Sequence, residues 1–267
     1  MTRPYAEVIG DPVAHSKSPR MHRFWLDQLG LAADYRAHRV AADELEPYLN
    51  DRRRDPTWRG CNVTIPLKQS VIPHMSALGP EARGIGAVNT VVHQGNGELL
   101  GLNTDAHGVL FALAGTSAEH AVVIGAGGAG RAALFALKVM GVEGVTVVNR
   151  DMIRARAALD DLEVDGRVQP LGSSPPADLV INASALGMSG QPPLAFDVSV
   201  LPPHATVFEM VYAPLETPLL AGARARGLRT IDGLVMLAEQ GAMAFAAFFN
   251  AGPDQADTLA LRDVLLR

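Results

Sequence analysis

A chain of 267 residues, 48% of them apolar, is long enough for one or two domains and has ample material for buried cores. A formal charge of −5 argues against nucleic acid as a partner, and a single cysteine, Cys61, excludes an internal disulfide framework and a cysteine-cluster metal site. No charged and then apolar leader opens the chain and no apolar run reaches membrane-spanning length, so a cytoplasmic protein with no membrane partner is expected.

Residues 5–9 form a short apolar run closed by Gly10, Asp11 and Pro12, which reads as a first strand and turn. A helix is expected over residues 20–29, with Pro19 in its first turn. Ser18 could cap that helix; Ser16 and Ser18 together could instead hold a carboxylate at its N-terminus. Residues 35–40 read as a strand and 42–49 as a helix. The arginines Arg52, Arg53 and Arg54, with acids on both sides, read as a solvated face of a loop over residues 51–59.

Residues 61–65 read as another strand, ended by Pro66, and residues 71–75 as the start of a short helix. Asn62 and Thr64 lie two apart, so a strand points both to one face. That face is polar on an otherwise buried-looking strand, which suggests a ligand. Lys68, just beyond the strand, is either a solvated lysine or a group for proton transfer and for stabilising a developing anion. A strand over residues 86–92 carries Asn89 and Thr90, and Gly95–Asn96–Gly97 turns the chain into a return strand at 99–102. Asn103 and Asp105 leave that strand end, where α/β sheets place ligands; Asp105 could also cap a helix over residues 106–113.

The strongest motif begins at residue 121. An apolar run, 121–124, reads as a parallel strand buried on both faces, and it stops at glycines spaced GxGxxG before a helical stretch, 132–137. Gly125 suits the tight turn, Gly127 the approach of a pyrophosphate, and Gly130 the close packing of helix on strand. The next strand, 144–148, ends at Asn149, Arg150 and Asp151, where an adenosine ribose is read. Arg150 and Arg154 favour the 2′-phosphate of NADP. Asp151 pulls towards NAD unless it caps a helix over residues 152–159. Strands are expected at 178–181, 206–210 and 228–231, with a helix at 219–226 between the last two. A long apolar helix, 232–250, carries Gln240 among apolar neighbours, aimed at solvent or at a cleft, and a final helix covers 254–266.

Taken together, these pieces resemble the shikimate dehydrogenase family over nearly the whole chain. They occur in the family's order: Ser16–Lys17–Ser18–Pro19, Asn62–Val63–Thr64–Ile65–Pro66–Leu67–Lys68, Gly86–Ala87–Val88–Asn89–Thr90, Asn103–Thr104–Asp105, the glycine turn, Tyr212–Ala213–Pro214, and Gly233–Leu234–Val235–Met236–Leu237 with Gln240. The resemblance implies two α/β domains flanking a cleft. Residues 1–104, completed by C-terminal helices at 238–267, would form a mixed, mostly parallel substrate domain, and residues 105–237 a Rossmann-like dinucleotide domain. It implies Lys68 and Asp105 as the catalytic pair. Ser16 and Ser18 would hold the substrate carboxylate, and Asn62, Asn89, Asp105 and Gln240 the ring hydroxyls, with Thr64 and Tyr212 lining the same pocket.

For the cofactor the same resemblance implies Gly125, Gly127, Gly128 and Ala129 at the pyrophosphate. Asn149, Arg150 and Arg154 would surround the ribose, with Met210 and Gly233 near the nicotinamide. The implied activity is reversible reduction of 3-dehydroshikimate to shikimate with NADP(H), with NAD(H) admitted by Asp151, on the route to chorismate and aromatic amino acids. No metal is needed, and a monomer or homodimer is expected. Two positions depart from the family's usual pattern: Asp151 replaces a Thr or Ser, and Leu102 replaces an Asp present in many members. Competing expectations are an NAD-dependent quinate/shikimate dehydrogenase, an aminoshikimate-type dehydrogenase, and a redox-inactive binding homologue.

Overall fold

The computed structural model describes residues 3–253 and 255–266, which divide into two compact units: residues 1–104 with 238–267, and residues 105–237.

The first unit contains β1 (Tyr5–Gly10), α1 (Ser18–Gln28), β2 (Asp34–Arg39), α2 (Leu45–Arg52), β3 (Trp58–Val63), β4 (Ala77–Leu78), α3 (Pro80–Ile85), β5 (Thr90–His93) and β6 (Leu99–Leu102). Its sheet runs β2-β1-β3-β5-β6-β4. β1 pairs in parallel with β2 and β3, whereas β3, β5 and β6 are antiparallel neighbours. Every residue of β1 is buried, as suits a strand covered on both faces. β2 is an edge strand with one buried side chain, Tyr35, which packs against His22 and Phe248.

The second unit contains α4 (Asp105–Ala112), β7 (His120–Ile124), α5 (Gly128–Met140), β8 (Gly144–Asn149), α6 (Met152–Asp161), β9 (Gly166–Pro170), β10 (Leu179–Asn182), β11 (Thr206–Glu209), α7 (Pro218–Ala225) and β12 (Arg229–Ile231). Its sheet runs β12-β11-β10-β7-β8-β9 and all of its pairings are parallel. Ala121 and Val123 of β7 enter one core and Val122 and Ile124 the other, which is why this strand reads as an unbroken apolar run. β7 lies where the strand order reverses, so the turn that follows it sits at the switch point of a doubly wound, Rossmann-like sheet. α8 (Gly233–Phe249) begins in this unit and continues into the first, and α9 (Gln255–Leu266) follows it there.

Several expected boundaries move. The helix at 42–49 is a 3₁₀ turn followed by α2, and the one at 71–75 is a 3₁₀ turn over Ile72–His74. The strand at 61–65 starts earlier and ends at Val63, so Thr64 lies beyond it, although its N–H still donates to Ile9 O at 2.9 Å. Gly86 is not a strand residue: it takes a left-handed conformation that ends α3, and the strand proper begins at Thr90. Ser18 does not cap α1. Lys17 occupies the cap position, and the Ser18 N–H donates to Ser16 Oγ at 3.2 Å. Arg52 is no solvated charge: it is 21% exposed and forks onto the buried carboxylate of Glu7 at 2.7 and 3.1 Å, and Tyr48 Oη donates to the same carboxylate at 2.8 Å.

Candidate active site

In the first unit, Asn62 at the end of β3, Asn89 just before β5 and Gln240 on α8 are all buried and share one hydrogen-bond network. Asn89 Nδ2 donates to Thr104 Oγ1 at 2.9 Å and lies 3.4 Å from Gln240 Oε1, joining residues 151 positions apart. Asn62 Nδ2 donates to Thr90 Oγ1 at 3.1 Å, and Tyr35 Oη donates to Asn62 Oδ1 at 2.6 Å. Buried amides need such partners, since an unpaired one would cost more than a made bond gains. The network accounts for Gln240, which is neither solvent-facing nor packed as an apolar core residue. Asn103 has a structural bond, Nδ2 donating to Ala87 O at 2.9 Å.

Lys68 lies in the turn after β3, half-buried. Its backbone is pinned on both sides: the Leu67 N–H donates to Thr64 O at 2.9 Å, and the Val88 N–H donates to Lys68 O at 2.7 Å. Ser16 and the buried Ser18 lie at the start of the eleven-residue α1, where free N–H groups favour an anion. Lys17 between them donates to Leu265 O of α9, which ties this loop to the C-terminal helix.

In the second unit, Asp105 is the first residue of α4 and is buried. Gly125 takes a φ of +107°, and a Cβ on Gly130 would lie 2.2 Å from Gly125 O, so only glycine lets α5 close on the strand end. The turn fits a dinucleotide. Within 4 Å a Cβ on Gly127 would meet only Arg154 Nη2, at 3.9 Å, which leaves room for a pyrophosphate above the N-terminus of the thirteen-residue α5. Gly128 and Ala129 form its first turn. The same short distance places the Arg154 guanidinium beside the glycine turn.

Asn149 and the exposed Arg150 follow at the end of β8. Asp151 caps α6, its carboxylate accepting the Arg154 N–H at 3.0 Å, and Asn149 Nδ2 donates to Asp151 O at 2.7 Å. Met210 O approaches Gly233 so closely that a Cβ there would stand 2.5 Å from it. The half-buried Tyr212 lies in the loop beyond.

Sequence reading missed one organising group in this unit. Glu209, fully buried at the end of β11, accepts from Asn182 Nδ2 at 2.8 Å, from the Val211 N–H at 3.0 Å and from Thr217 Oγ1 at 2.9 Å. Burial pushes its carboxyl above the ordinary value. It thereby fixes both ends of the loop that carries Tyr212. An acid in an apolar strand was the available signal.

Residues 8–91 match the family described as "Shikimate dehydrogenase substrate binding domain". The chain is 50% identical over 266 residues to the shikimate dehydrogenase (NADP(+)) of Sphingopyxis alaskensis, covering 98% of this chain and 97% of that protein. Among solved structures it resembles shikimate 5-dehydrogenase from Thermus thermophilus in complex with NADP(H) and shikimate, with a TM-score of 0.85, 41% identity, and 98% and 99% of the two chains covered. It also resembles quinate dehydrogenase from Corynebacterium glutamicum in complex with NAD, with a TM-score of 0.82, 32% identity and 99% of each chain covered. The chain belongs to the shikimate dehydrogenase family.

Proposed function

We propose that this protein is an NADP(H)-linked shikimate dehydrogenase that interconverts 3-dehydroshikimate and shikimate. The observation that carries this reading is the buried cluster of Asn62, Asn89 and Gln240, which suits a small ligand rich in hydroxyls, in a chain that also carries a complete glycine turn. Ser16 and Ser18 bind the substrate carboxylate at the start of α1. Asn62, Asn89, Asp105 and Gln240 take the ring hydroxyls, and Thr64 and Tyr212 line the same pocket.

Lys68 donates a proton to the substrate oxygen as the carbonyl is reduced, and accepts it in the reverse direction. Its ammonium also stabilises negative charge developing on that oxygen. Asp105 accepts a hydrogen bond from a substrate hydroxyl and orients it. The nicotinamide, when bound, supplies or accepts the hydride. Gly125, Gly127, Gly128 and Ala129 hold the pyrophosphate, and Met210 and Gly233 flank the nicotinamide. Asn149, Arg150 and Arg154 hold the ribose and its 2′-phosphate.

The use of Asp151 as a helix cap supports NADP(H) over NAD(H), because that carboxylate is committed to the backbone of its own helix. The test compares kcat/KM for shikimate and quinate with NADP and NAD by nicotinamide absorbance. The expected result is that shikimate with NADP gives the highest value. A preference for quinate with NAD would move the assignment to the quinate branch of the family.

A further inference from the structure

We propose that Tyr35 is a positioning residue for substrate recognition: its hydroxyl locks the Asn62 amide so that Asn62 meets the substrate as a hydrogen-bond acceptor. This rests on the placing of Asn62 in the substrate site under the proposed function.

Two main-chain groups, whose donor and acceptor senses cannot change, fix the direction of each bond in the network. The Thr104 N–H donates to Asn89 Oδ1 at 2.8 Å, which identifies the oxygen side of that amide. Thr90 Oγ1 lies 3.1 Å from the same Asn89 Oδ1 and 3.5 Å from Thr104 Oγ1. An amide oxygen only accepts, so the single hydroxyl hydrogen of Thr90 goes to Asn89 Oδ1. Thr90 Oγ1 therefore accepts from the Asn62 atom 3.1 Å away, and that atom is Nδ2.

The second main-chain group agrees. Asn89 O, also an acceptor only, stands 3.4 Å from the same Asn62 nitrogen. A flipped Asn62 would set two acceptors against each other there. The other side of Asn62 is thus Oδ1, and Tyr35 Oη, 2.6 Å away, donates to it.

The inventory of Asn62 follows. Both Nδ2 hydrogens point at protein acceptors, and one Oδ1 lone pair is taken by Tyr35. What this 7% exposed residue offers a ligand is the second lone pair, for a substrate hydroxyl to donate to. Tyr35 is well suited to hold it. It is fully buried on β2, and its ring stacks on His22 of α1 at 3.9 Å and 9°, with Phe248 of α8 at 6.4 Å.

The experiment measures KM for shikimate, KM for NADP, kcat and thermal midpoint for Tyr35→Phe, Asn62→Ala and the double variant. Tyr35→Phe is expected to raise KM for shikimate about two- to tenfold, as for loss of one buried hydrogen bond, and to leave kcat and KM for NADP near the parent values. In the Asn62→Ala background it should add nothing, because both changes break one interaction. Thr90→Val, which removes the acceptor for Asn62 Nδ2 and also the donor to Asn89 Oδ1, should raise KM for shikimate more when Asn62 is present than in the Asn62→Ala background, and this difference is the second measurement if Tyr35→Phe fails to fold. A KM for shikimate unchanged by Tyr35→Phe overturns the inference. So does an equal rise with and without Asn62, which marks a packing role. A parent protein that does not oxidise shikimate overturns the functional reading instead, and this inference with it.

Discussion

Under the proposed function, the two units would present their binding groups by different means. In residues 105–237 the main chain does most of the work. A glycine turn, the N-terminus of α5 and the Met210 carbonyl against Gly233 are all backbone features at the ends of parallel strands. In residues 1–104 with 238–267, side-chain amides do it, and each depends on a buried neighbour for its orientation. A backbone site constrains sequence through space, so its residues are small and tightly spaced. A side-chain site constrains sequence through hydrogen-bond partners, which are scattered along the chain. Damage should therefore spread differently: through the fold in the first case, through substrate affinity in the second.

The largest effect tests the one side chain given a chemical step. Lys68→Ala should lower kcat about 10²- to 10⁴-fold while NADPH affinity, measured by fluorescence titration, stays near the parent value. Turnover close to normal would remove Lys68 from the mechanism.

Gly130→Val tests the backbone side of the comparison. Its Cβ would stand 2.2 Å from Gly125 O, so the turn must move. A loss of about 1–3 kcal/mol or more in denaturant unfolding is expected, together with weaker NADPH binding. A variant that melts and binds cofactor like the parent would break the contrast between the two units.

The third test concerns His22, which is wholly buried in the first unit with neither ring nitrogen hydrogen-bonded. Burial lowers its pKa to about 3 from an ordinary 6.5. Below pH 6.5 the unfolded chain therefore binds a proton that the folded protein refuses. The stability that His22 contributes is complete above 6.5 and drains away as pH falls towards 3. His22→Phe should flatten the fall in thermal midpoint over this range. An identical acid profile in the variant would assign the proton uptake elsewhere.

The smallest effect is at Asp151. Asp151→Ala removes the cap on α6 and should cost about 1 kcal/mol of stability. The preference for NADP over NAD should stay with Arg150 and Arg154. A switch in preference without loss of stability would place the Asp151 carboxylate at the ribose.

How much was legible in the sequence follows the same division. β7, the glycine turn and α5 could be read directly, because a strand buried on both faces leaves an unbroken apolar run and a tight turn demands glycine. Asn62, Asn89 and Gln240 stood out as amides on apolar elements, but their bonding partners did not. Tyr35 is the one buried side chain on an edge strand, so the alternation that suggests a strand there does not mark it as inward. Thr104 matters partly through its main-chain N–H, which no sequence pattern announces. Glu209 gathers Asn182 from the end of β10 and Thr217 from the start of α7, and Arg52 of α2 finds Glu7 of β1. Such pairings are products of tertiary structure and leave no local trace.

The place of Tyr35 on β2 has a consequence for breathing motions. Edge strands are paired on one side only, and opening them locally is cheaper than opening a central strand such as β1. Each time β2 frays, the Tyr35 hydroxyl leaves Asn62, and the lock on that amide is released. If Asn62 meets the substrate as proposed, the exchange of β2 amide hydrogens with solvent deuterium is coupled to recognition there, and a bound substrate should slow it more than it slows exchange in β1.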